Sequence, residues 1–214
     1  ALNTDYVPWG LNSYLIKGKP IGTYYILQHE GKDASNKETV VDRNLDGTID
    51  SGNQSPDRYF AGSALPTYNF AFSPVVNYKN FDLTMLFRGS GGNKIMNSIK
   101  ASFSYFENLG KSNLLASATK KGLFTSQYSS DLWLEDGDFV RFENLSLGYK
   151  FNTTDWKHIG QLRLSLVANN LALFTKYSGL DPELSTSGSN GFGGDYGIYP
   201  RTSSVAIGLN VTLK

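Results

Sequence analysis

Asp42 to Asp50 carries the most definite chemical pattern in the chain. Asp42, Asn44, Asp46 and Asp50 place oxygen donors at the first, third, fifth and ninth positions of an EF-hand-like loop. Gly47 stands at the sixth, where such a loop turns sharply, and Thr48 offers a backbone carbonyl at the seventh. A hard cation such as Ca2+ requires this alternation, because every second side chain has to converge on one point. The twelfth position, normally a bidentate Glu, is Asn53, a poor replacement. The competing reading is a solvated, Asx-rich turn whose carboxylates bind nothing.

No catalytic constellation accompanies it, and the chain is not expected to be an enzyme. His29 and His158 lie far apart with no Ser or carboxylate arrangement beside either, as surface or rim histidines do. Glu135, Asp136 and Asp138 pass for a carboxylate pair, but their E-D-G-D setting reads as a turn before a strand. The glycine-rich run Gly188 to Gly194 lacks a following Lys-Ser/Thr, so it reads as a flexible loop rather than a phosphate cradle. With no cysteine there is no thiolate nucleophile, disulfide framework or Cys-ligated metal. A net charge of +1, from 20 Lys+Arg against 19 Asp+Glu, offers phosphate backbones no general attraction, so nucleic acid is not an expected partner.

The elements that must position these residues read as strands. From Thr67 to Tyr78, Tyr68, Phe70, Phe72, Pro74, Val76 and Tyr78 alternate with Thr67, Asn69, Ala71, Ser73, Val75 and Asn77. After only Lys79 and Asn80 the period resumes, with Phe81, Leu83, Met85 and Phe87 opposed to Asp82, Thr84, Leu86 and Arg88, which predicts a hairpin. Gln161 to Ala168 and Val205 to Leu213 alternate in the same way. Phe139 to Phe151 does so with Val140 and Phe142 out of phase with Leu145, Leu147, Tyr149 and Phe151, and a bulge near Glu143 and Asn144 would restore the phase. Ile21 to His29, apolar on both faces, makes a sixth strand. Within Gly91 to Asp131, the spacing of Ile95, Ile99, Phe103, Phe106 and Leu109 predicts an amphipathic helix that packs the loop on a rim or binds a partner.

Connection lengths alternate as well. Glu30 to Pro66, Gly91 to Asp131 and Thr175 to Pro200 are long, while Lys79-Asn80 and Asn152 to Gly160 are short. Transmembrane β-barrels combine these features: short periplasmic turns, long outer loops, and strands alternating apolar-out with polar-in. A soluble β-sandwich alternates too, but has no reason to gather its long connections at one end. The aromatics at strand ends fit interfacial girdles, or else ordinary sandwich-core packing. The expected fold class is therefore all-β, an antiparallel transmembrane barrel. Six strands fall below the eight of the smallest single-chain barrels, so the chain is expected to be part of a larger one. No run of some 18 apolar residues indicates a membrane helix.

Several segments together resemble the C-terminal part of SusC/RagA-type TonB-dependent outer-membrane transporters of Bacteroidetes. Gly18-Lys19-Pro20-Ile21-Gly22-Thr23-Tyr24-Tyr25 resembles the family's G-x-P-I-G-x-x-Y lead-in to a strand. Asp42-Arg43-Asn44-Leu45-Asp46-Gly47-Thr48-Ile49-Asp50 resembles its D-x-N-x-D-G-x-I-D loop, and Tyr78-Lys79-Asn80-Phe81-Asp82-Leu83 its Y-K-N-F-D-L hairpin. Trp133 to Gly137, followed by Arg141, Asn144, Leu145, Leu147, Gly148 and Tyr149, is similar to its W-V-E-D-G…R-x-x-N-L-T-L-G-Y block. The closing segments are Asn170-Leu171, Thr175-Lys176-Tyr177-Ser178-Gly179, Asp181-Pro182-Glu183, Asp195-Tyr196-Gly197 and Tyr199-Pro200-Arg201. Order and spacing across nearly the whole chain carry the resemblance. One departure is the ending Val211-Thr212-Leu213-Lys214 in place of a terminal aromatic.

The resemblance implies that residues 1–214 are the C-terminal part, six or so strands, of a plugged barrel of about 22 strands. The plug, the remaining strands and the TonB-contacting segment are expected outside this chain. It also implies a location in the bacterial outer membrane with the C-terminus periplasmic, a SusD-like lipoprotein lid, and TonB-linked import of an oligomeric nutrient, a glycan or a peptide. The family's loop closes with Asp-Arg soon after its ninth position, whereas Asp57-Arg58 comes later here, as though residues had been inserted; either Asn53 or Asp57 then closes the Ca2+ site of Asp42, Asn44, Asp46, Thr48 and Asp50. Trp133, Tyr177, Phe192, Tyr196 and Tyr199 are candidates to stack on substrate, or to pack the loops. The competing functions are a barrel fragment with only a structural role and a soluble Ca2+-binding β-sandwich carbohydrate module.

Overall fold

The structure, a computed structural model, describes residues 6–10, 12–125, 129–183, 193–197 and 199–214. Along the chain the strands begin with β1 (Tyr6–Pro8), β2 (Ser13–Ile16), β3 (Thr23–Leu27), β4 (His29–Lys32), β5 (Glu38–Val40), β6 (Arg58–Ser63), β7 (Tyr68–Phe72) and β8 (Val75–Tyr78). They continue with β9 (Phe81–Gly91), β10 (Lys94–Asn97), β11 (Leu134–Asp136), β12 (Phe139–Lys150), β13 (Ile159–Thr175), β14 (Gly194–Asp195) and β15 (Ser204–Leu213), with two short helices, α1 (Ser98–Ser102) and α2 (Ala118–Lys121). The chain divides into two compact units: a sheet unit of residues 68–91, 139–175 and 201–214, and a loop unit of residues 1–67, 92–138 and 176–200.

The sheet unit is one antiparallel sheet in the order β15-β13-β12-β9-β7, with β8 also paired to β9. The strands predicted from Tyr68, Phe81, Phe139, Leu162 and Val205 are thus neighbours in chain order. Tyr78 faces Phe81 across the two-residue turn, where Lys79 takes a left-handed φ of 53°. The predicted strand through Tyr78 is interrupted at Ser73-Pro74, because proline has no N–H for the ladder. The expected bulge is present: Phe142 pairs with Phe87 and Asn144 with Leu86, leaving Glu143 extra. Leu145 thereby falls opposite Met85, and the apolar rows run unbroken across the sheet, as in Leu83, Leu147, Leu166 and Ile207. The alternate rows are polar or small, as in Asp82, Gly148, Ser165 and Gly208. One face is therefore apolar and exposed, reaching 77% at Ile207, and the other carries the charges.

The loop unit holds its own core of Tyr24, Ile26, Ala64, Met96, Tyr105, Leu123 and Trp133. Its β1-β2-β3-β6 sheet, β4–β5 hairpin and β11-β10-β14 sheet draw on the three long connections and the segment before them. Here the expectation for Ile21 to His29 is corrected. β3 pairs with β2 and β6 rather than joining the barrel sheet. Its residues are buried along its whole length, which is what an apolar pattern on both faces requires. The helix predicted over Ile95 to Leu109 is corrected as well: Ile95 and Met96 lie in β10, and only Ser98–Ser102 is α-helical, capped by Asn97. Strand pairing satisfies that backbone and buries Ile95 completely, while Ser98, Ser102 and Ser104 favour helix poorly.

Candidate functional site

On the polar face of the sheet unit, the Asp82 carboxylate accepts Arg163 Nη2 at 2.5 Å. Arg88 donates to Glu143 at 2.7 Å, and Arg201 stands 3.8 Å from the same carboxylate. Arg141, almost fully buried, donates to Asn170 at 2.6 Å, and Asn144 donates to Asn169, which donates to Ser204. Among the polar and small residues of this face, charges and amides are thus held by partners on other strands. Such a wall suits water and polar solute, whereas the opposite face suits hydrocarbon.

In the loop unit, the Asp42–Asp50 segment is organised from beneath by Asp57. This carboxylate has no exposed surface and accepts backbone N–H groups of Arg43 and Asn44 on Oδ1 and of Asp50 on Oδ2. Arg58 beside it donates to the carbonyls of Ser51, Gly52 and Tyr25. Above, Asp42 accepts from the N–H groups of Leu45 and Gly47, Asn44 from Asp46, and Asp46 from both the N–H and the hydroxyl of Thr48. Those Thr48 bonds hold the Asp46 carboxyl below its ordinary range. Donor types and spacing fit Ca2+, but among the described residues no three acidic or histidine side chains are gathered into a metal-holding group.

Of the aromatic candidates, Trp133 and Tyr177 are each 5% exposed, whereas Tyr196 is 41% and Tyr199 81% exposed. The Trp133 indole N–H donates to the Tyr105 hydroxyl at 2.6 Å within the core. The Tyr177 hydroxyl donates to Asp195 at 2.5 Å, and burial together with that bond pushes the phenol far above its ordinary range. Phe192, and the glycine-rich run as far as residue 192, lie outside the described residues.

The residues read as a turn from E-D-G-D do more than turn the chain. Asp136 pairs with Lys94 at 2.6 Å and Asp138 accepts the Gly92 N–H. Glu135, on β11, accepts from Asn97, Lys100 and both the N–H and hydroxyl of Ser178. Burial raises the Glu135 carboxyl, but the bonds from Ser178 and Lys100 outweigh it and hold the group below its ordinary value. Sequence reading missed this cluster because its members are 35 to 43 residues from Glu135. His29 lies 3.1 Å from the buried Glu38, whose carboxylate also takes the Ser130 hydroxyl. Histidine and serine therefore meet the same acid rather than each other, which is no catalytic relay.

No family model matches the chain. It is 32% identical over 209 residues to the TonB-dependent receptor SusC of Bacteroides thetaiotaomicron, covering 91% of this chain and 20% of that protein. It is 27% identical over 235 residues to TonB-dependent receptor P3 of Formosa agariphila, covering 92% and 22%. The fold matches the RagAB peptide importer in its closed-closed state with a TM-score of 0.77 at 21% identity, over 98% of this chain and 25% of that one. The open-open state gives 0.73 at 20% identity, over 98% and 24%. The chain thus spans about a fifth of the length of the curated relatives it matches. Sequence likeness along almost the whole chain and a sheet of the same fold lead to one assignment: the chain belongs to the SusC/RagA family of TonB-dependent receptors, as a portion of the barrel.

Proposed function

We propose that the chain forms part of the wall and outer loops of a transporter that imports an oligomeric nutrient, glycan or peptide, across the bacterial outer membrane. The observation that carries this reading is the two-faced sheet: strands of 10 to 17 residues, β9, β12, β13 and β15, with one exposed apolar face and one ion-paired face. These lengths suit a membrane, where a tilted strand needs about 9 to 11 residues. Lipid covers the apolar face. The remaining strands and plug complete the barrel, energy comes from TonB through a part outside this chain, and a SusD-like lipoprotein closes the outer mouth. Names of relatives, receptors and an importer, support transport over enzymatic chemistry. Of the aromatic candidates, Tyr196 and Tyr199 offer ring surface for substrate, while Trp133 and Tyr177 support the loops from within.

In this orientation the Lys79-Asn80 turn and Lys214 are periplasmic and Tyr199 is outside. Cysteine labelling of intact cells with an impermeant reagent tests it: Tyr199→Cys is expected to react and Lys79→Cys to stay silent. The reverse pattern would overturn the orientation. Donor type and spacing alone support a structural Ca2+ at Asp42, Asn44, Asp46, the Thr48 carbonyl, Asp50 and Asp57. Calcium is then expected to protect the Glu30 to Pro66 segment from protease in the parent protein and to lose that effect in Asp46→Ala. Equal cleavage with and without calcium would remove the ion from the account.

A further inference from the structure

The loop unit contains a cavity of about 380 Å3 lined by Ile99, Leu115 and Leu180, with Asn97, Lys100, Ser178 and Asp195 set among them. Its walls are largely aliphatic, with no aromatic ring among the described residues that line it. The polar members fall into two groups with different accounts. Asn97 caps α1 through its carbonyl and donates to Glu135 and Ser178, and Lys100 has its charge met by Glu135 at 3.0 Å. That cluster is satisfied from within. Asp195 is not so balanced. It is 5% exposed and accepts the Tyr177 hydroxyl at 2.5 Å and the Gly197 N–H at 2.8 Å. Among the described residues no Lys, Arg or His side chain forms an ion pair with it, and the residues outside that set include none of those types.

A carboxylate has about four lone-pair sites, and the two neutral donors fill half of them. Burying the charge without a cation is costly, and a ligand that brings the cation recovers that cost. We propose that this cavity binds the end of an aliphatic chain terminating in an ammonium group, its methylenes against Ile99, Leu115 and Leu180 and its charge on Asp195. A lysine side chain and a peptide N-terminus are the two sources of that chemistry. A neutral sugar ring would find no stacking face among the described lining residues and would leave the carboxylate uncompensated. This assignment rests on the import reading and deepens it, favouring peptide over glycan.

The test is calorimetric titration of the full-length receptor in detergent with three short apolar peptides alike except at one position: one with a free N-terminus and leucine there, one N-acetylated with lysine there, and one N-acetylated with acetylated lysine there. The doubly blocked peptide is expected to bind about tenfold more weakly than at least one charged peptide. Which charged peptide gains identifies the source of the ammonium. Asp195→Asn should abolish the difference. Leu180→Trp, which fills the cavity without touching the Tyr177–Asp195 bond, should abolish it too. Equal binding of all three peptides, or a difference that survives in Leu180→Trp, overturns the assignment. Deleting the receptor gene and scoring growth on a peptide nutrient is the separate readout for import: lost growth with equal peptide binding would sink the pocket and leave transport standing.

Discussion

Asp82 and Arg163 form their 2.5 Å ion pair across an intervening strand, directly over Gly148, where an added Cβ would fall 2.2 Å from Arg163 Nη2 and 2.5 Å from the Asp82 carboxylate. The glycine is needed for space: β9 and β13 are both neighbours of β12, and only a residue without a side chain lets their charges meet above it. Gly148→Val is therefore expected to force the pair apart and to overpack the polar face, costing about 1 to 3 kcal/mol. Ser146→Val, on the same face, should cost much less. Urea unfolding in detergent, followed by tryptophan fluorescence, compares the two, and coincident midpoints would contradict the account.

The second prediction concerns which face meets lipid. Ile207 lies in the apolar row with Leu166 and Leu147, while Asn210 pairs with Arg163 on the charged face of the same strand. An arginine at the bilayer midplane costs about 2 to 4 kcal/mol on the lipid side and little on the lumenal side. Ile207→Arg should therefore reduce the amount of heat-modifiable, folded receptor in outer-membrane fractions, with Asn210→Arg close to wild type. Equal losses would refute the assignment of faces.

How much of this was legible in the sequence depended on the reach of the interactions. The sheet was readable because its rule is local: a period of two persists through Phe81 to Phe87 and Val205 to Leu213, and a slip in the period located the bulge at Glu143. The loop unit was not, since its core is assembled from Tyr24, Met96, Leu123 and Trp133, residues tens of positions apart whose partners no periodicity announces. Helical spacing from Ile95 to Leu109 misled because tertiary pairing of β10 outweighed a weak local preference. Likewise Tyr177 and Asp195 were visible as motif residues, but their mutual hydrogen bond required the fold.

The third prediction is a pH dependence. Glu135 has its carboxyl held below the ordinary 4.5 by Ser178 and Lys100, against the opposing effect of burial. A depressed folded-state value means that the stabilisation is fully present above the unfolded value and is lost as pH falls through the folded one. Protease resistance of the loop unit should thus be full above pH 4.5 and decline as the pH falls below it, with a shallower decline in Glu135→Gln, which cannot change charge. Matching profiles for the two proteins would show that the cluster does not link folding to protons.

The last prediction addresses the proposed lid. Connections as long as those of the loop unit are usually functional or disordered, and the buried core of this unit argues against disorder. Among the large apolar side chains that nonetheless stay outside that core, Leu109 is 68% and Phe124 50% exposed. They lie on segments tied together by bonds from the Phe106 and Glu107 N–H groups to the carbonyls of Leu123 and Phe124. Anchored backbone with outward apolar side chains is the arrangement of a preformed docking surface, where little ordering entropy opposes association. Deleting Ile95 to Leu109 would be uninformative, because it removes β10 and Tyr105 from the core. The sharper variant is Leu109→Asp with Phe124→Asp, which leaves every core side chain in place. It should assemble normally yet recover several-fold less of the lipoprotein on affinity purification and slow growth on the cognate nutrient. Normal recovery together with normal growth would remove this surface from the lid interface.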